Sequence, residues 1–287
     1  MADGGGRAFL PDVDTSRPNA ARVYDLLLGG KNCFEVDRRL HHKLLEVAPD
    51  VPAVAQQNRL WLGRAVELMV GEGGVDQFLD LGCGLPTAEN THQVVRRLSP
   101  DATVVYVDND PTVITHGQAL LDDERTTHFV AADLTEPGAV LADPDVAVVL
   151  DLTRPVGVLL GLVLHHVPGH ADARQALHGY WSSVPSGSYL AITHPANPRD
   201  GSPLADFSAT VEQVLRPAVP SIAFRTPAEI AALLEGIDLH PPGLASLADW
   251  AAAHAAASDD ARSDDSPVDD SPSGALHLVL AALARKP

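Results

Sequence analysis

The chain has 287 residues, 45% of them hydrophobic, and a formal net charge of −18. That length and apolar content suffice for one large α/β domain carrying a helical cap. The excess of Asp and Glu over Lys and Arg argues against a broad nucleic-acid-binding face and against electrostatic docking to anionic membranes.

Residues 1–17 read as a flexible arm, polar and glycine-rich at the start, with no apolar run of the kind a targeting segment needs. From Pro18 the pattern turns helical: Val23, Leu26, Leu27 and Leu28 share a broad face, and Gly29-Gly30 stops the helix. Further helices are predicted over 34–47 and 53–70, separated by Pro49 and Pro52 and ended by Gly71, Gly73 and Gly74. Residues 18–74 are therefore expected to form a helical cap or lid on a domain spanning 75–287.

The period then changes. Strands are predicted at 77–82, 102–107, 128–132, 156–164 and 189–193, with helices over 91–98, 111–121 and 171–184 between them. Strands alternating with helices imply a doubly wound, mostly parallel sheet of the α/β class. Helices follow at 203–215 and 227–234. The stretch 251–274 is rich in Asp, Ser and Ala and reads as an acidic low-complexity loop, before a last strand over 276–283. The longest apolar run, 156–164, is too short to span a bilayer. Two cysteines, Cys33 and Cys83, make no disulfide framework, which together with the absence of a targeting signal points to the cytoplasm. Neither has a partner at zinc-ligand spacing, and His41 and His42 point apart on their helix, so no metal is expected.

Three motifs carry the chemistry. Asp80-Leu-Gly82-Cys-Gly84-Leu-Pro86-Thr87 follows the first strand. Its glycines let the backbone approach a ligand, a following helix start suits a carboxylate, and Asp80 suits an ammonium. Tyr106-Val-Asp108-Asn109-Asp110 ends the second strand, where an acid accepts both hydroxyls of a ribose. Asp110, just before Pro111, is equally readable as a helix cap. Ala131-Ala132-Asp133-Leu134 follows the third strand, where Asp133 suits an exocyclic amine and Leu134 an adenine ring. Three acids at three successive strand ends lie along one rim, where doubly wound sheets bind ligands. Together they point to S-adenosylmethionine. Thr87 stands where a dinucleotide fingerprint has its third glycine, which disfavours an NAD-dependent dehydrogenase.

This order of motifs resembles class I S-adenosylmethionine-dependent methyltransferases, as does the turn 185–190. Segments 21–32, 78–87 and 105–111 resemble more closely a group of S-adenosyl methyltransferases common in actinobacteria, formerly a domain of unknown function. The resemblance covers roughly residues 14–247. It implies a seven-stranded, mostly parallel, Rossmann-like sheet and methyl transfer from S-adenosylmethionine, and it leaves the acceptor open. The Asp/Ser-rich stretch before the last strand departs from the pattern. The resemblance also favours Tyr24, Gly30, Lys31 and Asn32 as a lid over the cofactor, against a plain helix stop. Asn58 and Arg59 on the third helix read as neighbours of the same pocket, with a surface ion pair the equal alternative for Arg59.

Leu164, a further cofactor-binding candidate, is followed by His165 and His166 at the predicted end of the fourth strand, which in this architecture faces the transferred methyl. A histidine there suits a general base. Side chains alternate along a strand, so one of the two is expected to face the site, with His166 the first candidate. The acidic balance and the size of the cap favour a small-molecule acceptor. The lack of an unambiguous base keeps a second reading open, a module that binds S-adenosylmethionine or its demethylated product without chemistry.

Overall fold

In the computed structural model, residues 13–86, 89–121, 125–258 and 274–287 are described. The arm predicted over 1–17 lies outside them through residue 12, as do Thr87 and most of the acidic stretch, residues 259–273.

Seven strands form one sheet in the order β3-β2-β1-β4-β5-β7-β6. They are β1 (Gln77–Leu81), β2 (Thr103–Asp108), β3 (Thr127–Ala131), β4 (Gly157–Gly161), β5 (Tyr189–Pro195), β6 (Ala245–Ser246) and β7 (Val279–Arg285). The first five run parallel, and β7 pairs antiparallel with both β5 and β6. The strand order reverses between β1 and β4, so the carboxyl ends of these strands border the crevice where such sheets take ligands.

The helices are α1 (Ala20–Leu27), α2 (Glu35–Val47), α3 (Val51–Gly71), α4 (Thr91–Leu98), α5 (Pro111–Leu120), α6 (Pro137–Ala142), α7 (Pro144–Val149), α8 (His170–Ser183), α9 (Pro203–Leu215), α10 (Pro227–Leu233) and α11 (Leu247–Ser258). Residues alternate across each strand, and each sheet face buries its own apolar layer. Leu79, Leu81, Val105 and Val107 pack against α6, α7, α8 and α10 through Val140, Val146, Leu177 and Leu233. Phe78, Val104 and Tyr106 on the other face meet Trp61, Val66 and Met69 of α3 and Val94 of α4. A third cluster joins α1, α2 and α9 through Leu27, Leu44 and Val211. No helix among the described residues is long and apolar enough to cross a membrane.

The N-terminal helices are keyed to the sheet by polar contacts. Arg22 and Asp37 form a buried ion pair at 2.7 Å, joining α1 to α2. Arg22 also donates to Thr112 Oγ1 on α5 at 3.2 Å. Asn19 caps α1, and its amide donates to Asp110.

Two expectations change. The apolar run over 156–164 is a strand only to Gly161: Leu162 turns at φ 48°, and Leu164–His166 forms a 3₁₀ turn. The run is apolar throughout because the turn is buried too, so hydrophobicity could not mark the strand's end. The predicted loop over 251–274 begins instead as helix, since α11 runs to Ser258. Trp250 anchors it by donating its indole N–H to Ala281 O of β7 at 3.0 Å.

Candidate functional site

Strand β1 is buried along its whole length, and the chain leaves it through Gly82 at φ 66° and Gly84 at φ 69°. Gly82 N–H donates back to Val107 O of β2 at 2.8 Å. A Cβ on Gly82 would stand 2.2 Å from Val163 Cγ2, so the close approach itself demands glycine. Gly84 N–H then donates to Asp108 Oδ2 at 2.9 Å, which ties the glycine loop to the tip of β2.

Asp80, Gly82, Gly84, Asp108, Asn109, Asp133 and Leu134 all line one cavity of about 510 Å³. Asp80 is buried, and Thr91 Oγ1 at the start of α4 donates to its Oδ2 at 2.7 Å. Burial pushes the Asp80 carboxyl above the usual carboxylate range, and the Thr91 hydrogen bond pulls the other way. Asp108 accepts Asp110 N–H on Oδ1 at 3.0 Å as well as Gly84 N–H. Burial nevertheless raises its pKa to about 6, against those two backbone bonds. Asp133 is exposed and accepts both the N–H and the hydroxyl of Thr135, each at 2.8 Å. Asp110 caps α5, accepting from Thr112 N at 2.8 Å and Val113 N at 3.2 Å, so the capping reading describes its local bonds.

Tyr24, Asn58 and Arg59 also border the cavity. Tyr24 is held in place, its hydroxyl donating to Ala55 O at 3.3 Å and accepting from Asn58 Nδ2 at 3.0 Å. Thr193 Oγ1 on β5 donates to Asn58 Oδ1 at 2.7 Å, which completes a chain from α1 through α3 to the sheet. Arg59 Nη2 donates to Glu89 O at 2.5 Å.

Five predicted residues stand away from the described cavity wall: Gly30, Lys31, Asn32, Pro86 and Leu164. Asn32 N–H donates to Asp25 Oδ2 at 2.9 Å, and a Cβ on Gly30 would meet that carboxylate at 2.2 Å, so this segment folds onto α1. Leu164 is fully buried in the sheet core. Thr87 lies outside the described residues.

Both histidines line the cavity, contrary to the expectation that one would turn away. Strand alternation does not apply to them because they sit in the 3₁₀ turn, with ring centroids 4.1 Å apart. Burial holds His166 down to about 4 and His165 well below its ordinary value. Both rings are therefore neutral near pH 7.

Arg225 organises this turn, and its distance in sequence from every motif hid it. Its buried guanidinium donates to Leu164 O at 2.9 Å, Val167 O at 2.6 Å and Gly169 O at 3.2 Å. It also contacts His194 Nε2 at 2.9 Å. A guanidinium only donates, so Nε2 of His194 is the acceptor and Nδ1–H donates to Pro195 O at 2.7 Å. That fixes the tautomer of a histidine whose pKa burial depresses to about 3.

The donor set fits S-adenosylmethionine. Asp80 Oδ1 makes no hydrogen bond among the described residues and is available to an ammonium, and Asp108 keeps lone pairs beyond those its two backbone donors use. A Cβ on Gly84 would meet nothing within 4 Å, so open space adjoins the loop.

Comparison with known proteins identifies the family. The sequence model of a family described as S-adenosyl methyltransferase matches residues 8–287. A candidate methyltransferase from Thermobifida fusca YX is 37% identical, with 95% of this chain and 96% of that one covered and a TM-score of 0.81. A DUF574 family protein from Streptomyces avermitilis MA-4680 is 32% identical over 96% of this chain and 100% of its own, with a TM-score of 0.83. No curated protein matches. The chain belongs to the S-adenosyl methyltransferase family, and S-adenosylmethionine is its cofactor.

Proposed function

We propose that this protein transfers a methyl group from S-adenosylmethionine to a small molecule that enters the same cavity. The observation that carries the reading is the meeting of Asp80, Asp108 and Asp133, from three adjacent strand tips, with the glycine loop on the wall of one cavity. The cofactor supplies a methyl already activated by a sulfonium charge. The protein's task is then alignment and exclusion of water, and positioning alone accounts for roughly 7–11 kcal/mol of barrier in well-oriented pairs.

In this reading Asp108 accepts the ribose hydroxyls, Asp80 meets the amino group, and Asp133 takes the adenine amine while Leu134 packs on the ring. Helices α1 and α2, within the predicted 18–74 cap, close the cavity from above. The neutral rings of His165 and His166, both on the cavity wall, support a role as base for an acceptor's proton.

Isothermal calorimetry with S-adenosylhomocysteine tests this, read beside thermal shifts with S-adenosylmethionine and with NAD. One-to-one binding is expected, with stabilisation of about 2.7 kcal/mol at a hundred times Kd. Stabilisation by NAD alone would sink the assignment.

A further inference from the structure

From the lining of the cavity away from the strand tips we infer the class of the acceptor: an apolar small molecule without an anionic group, whose accepting group is a hydroxyl. The inference rests on the methyl-transfer reading above and sharpens it.

The third apolar cluster borders the cavity on one side. Leu44 of α2, Val211 of α9, and Val219, Ile222 and Phe224 beyond α9 belong to that cluster and also line the cavity. Protein interiors are close-packed, and an apolar wall left without contacts forfeits dispersion energy that an apolar occupant restores.

Charge narrows the occupant. The charged residues among the described lining are Asp25, Arg59, Asp80, Asp108, Asp110 and Asp133. None comes from α2, from α9 or from 218–224. Asp25 is buried on α1 and accepts Asn32 N–H. Arg59 reaches toward Glu89 O, and Arg225 is spent on three carbonyls and His194. An acceptor bringing a carboxylate or a phosphate to this wall would bury its charge without a partner, which is strongly unfavourable.

The accepting group follows from the histidines. His165 is 8% exposed, packs edge-on to Phe224 with ring centroids 6.0 Å apart, and its Nδ1 is buried without a hydrogen-bond partner among the described residues. His166 lies against it and likewise makes no side-chain hydrogen bond among the described residues. His166, the more exposed of the two neutral imidazoles, stands at the edge of the apolar wall and offers an acceptor nitrogen to a hydroxyl. Neither ring offers a full charge to an ion.

The test compares two ligands of nearly equal shape, 2-naphthol and 2-naphthoate, by calorimetry on the full chain saturated with S-adenosylhomocysteine. The naphthol is expected to bind at least tenfold more tightly. Val211→Trp and Val219→Trp should each weaken naphthol binding at least tenfold while S-adenosylhomocysteine affinity, which also reports folding, changes less than twofold. Equal or tighter binding of the naphthoate, no naphthol binding, or indifference to both tryptophans in folded protein overturns the inference. Absence of S-adenosylhomocysteine binding by the unmodified chain is a separate outcome that overturns the cofactor site beneath it, and with it this inference.

Discussion

Replacing Asp108 by asparagine separates recognition from folding at the centre of the site. The carboxylate accepts Gly84 N–H on one oxygen and Asp110 N–H on the other. Asparagine keeps one acceptor, so one backbone N–H faces an amide NH₂, a loss of about 1–3 kcal/mol. Against this, the variant removes a charge that the fold disfavours. The pKa rises from 3.8 to about 6 on burial, and a shift of that size corresponds to about 3 kcal/mol. The sign follows from the raised value. The stabilisation is fully present below pH 3.8, where Asp108 is protonated in both states, and is lost as pH rises through about 6. At pH 7–8 the two effects largely cancel, and the net change should lie between none and about 2 kcal/mol of stabilisation. Ligand binding has no such compensation. Losing charge-assisted bonds to a ribose costs about 1.5–3 kcal/mol, or roughly one to two decades of affinity for S-adenosylhomocysteine. In the unmodified protein the same affinity should fall about tenfold per pH unit below pH 6, since the proton must leave first, and the asparagine variant should lose that slope. Urea unfolding and calorimetry at pH 5 and 7.5 give all three quantities. Unchanged affinity at pH 7.5, or an unaltered pH slope in the variant, would refute the role given to this carboxylate.

Two further substitutions test the frame around it. Gly84→Ala meets only the strain of φ 69°, whereas Gly82→Ala adds a 2.2 Å clash with Val163, so urea unfolding should show losses of about 1–2 and about 2–5 kcal/mol respectively; equal losses would contradict the clash. Arg225→Lys leaves a point charge where a planar fork serves three carbonyls and His194, with an expected loss of about 2–4 kcal/mol in the same assay, and a loss under about 0.5 kcal/mol would count against its part in holding the histidine turn.

Much of this architecture was legible in the sequence because periodicity reports burial. The runs at 77–82 and 102–107 are apolar on both faces, as central parallel strands must be, and Gly29, Gly82 and Gly84 do sit at positive φ. The site was legible where chemistry clusters in sequence, as in the three strand-tip acids. It was not legible where the fold brings distant residues together. Arg225, His194 and Thr193 carry no local motif, and the apolar wall contributed by α9 looks in sequence like any helix packing against a core. Helices α6 and α7 escaped notice because each has six residues, less than two turns, and shows too little period to read. The two-residue β6 gave no signal for the same reason. Residues 162–164 misled because the chain leading into the turn is as apolar as the strand it follows.

The antiparallel ladder of β7 has a consequence for the chain that leads into it. Seven residue pairs, from Tyr189 with Arg285 to Pro195 with Val279, seat β7 beside β5, and Trp250 moors α11 to the same strand. Whatever length of chain joins Ser258 to Gly274 therefore leaves from one moored element and arrives at another. Loop closure grows only with the logarithm of length, about 0.6 kcal/mol for each doubling. A change in the length of a connection between two such anchors therefore costs the fold little.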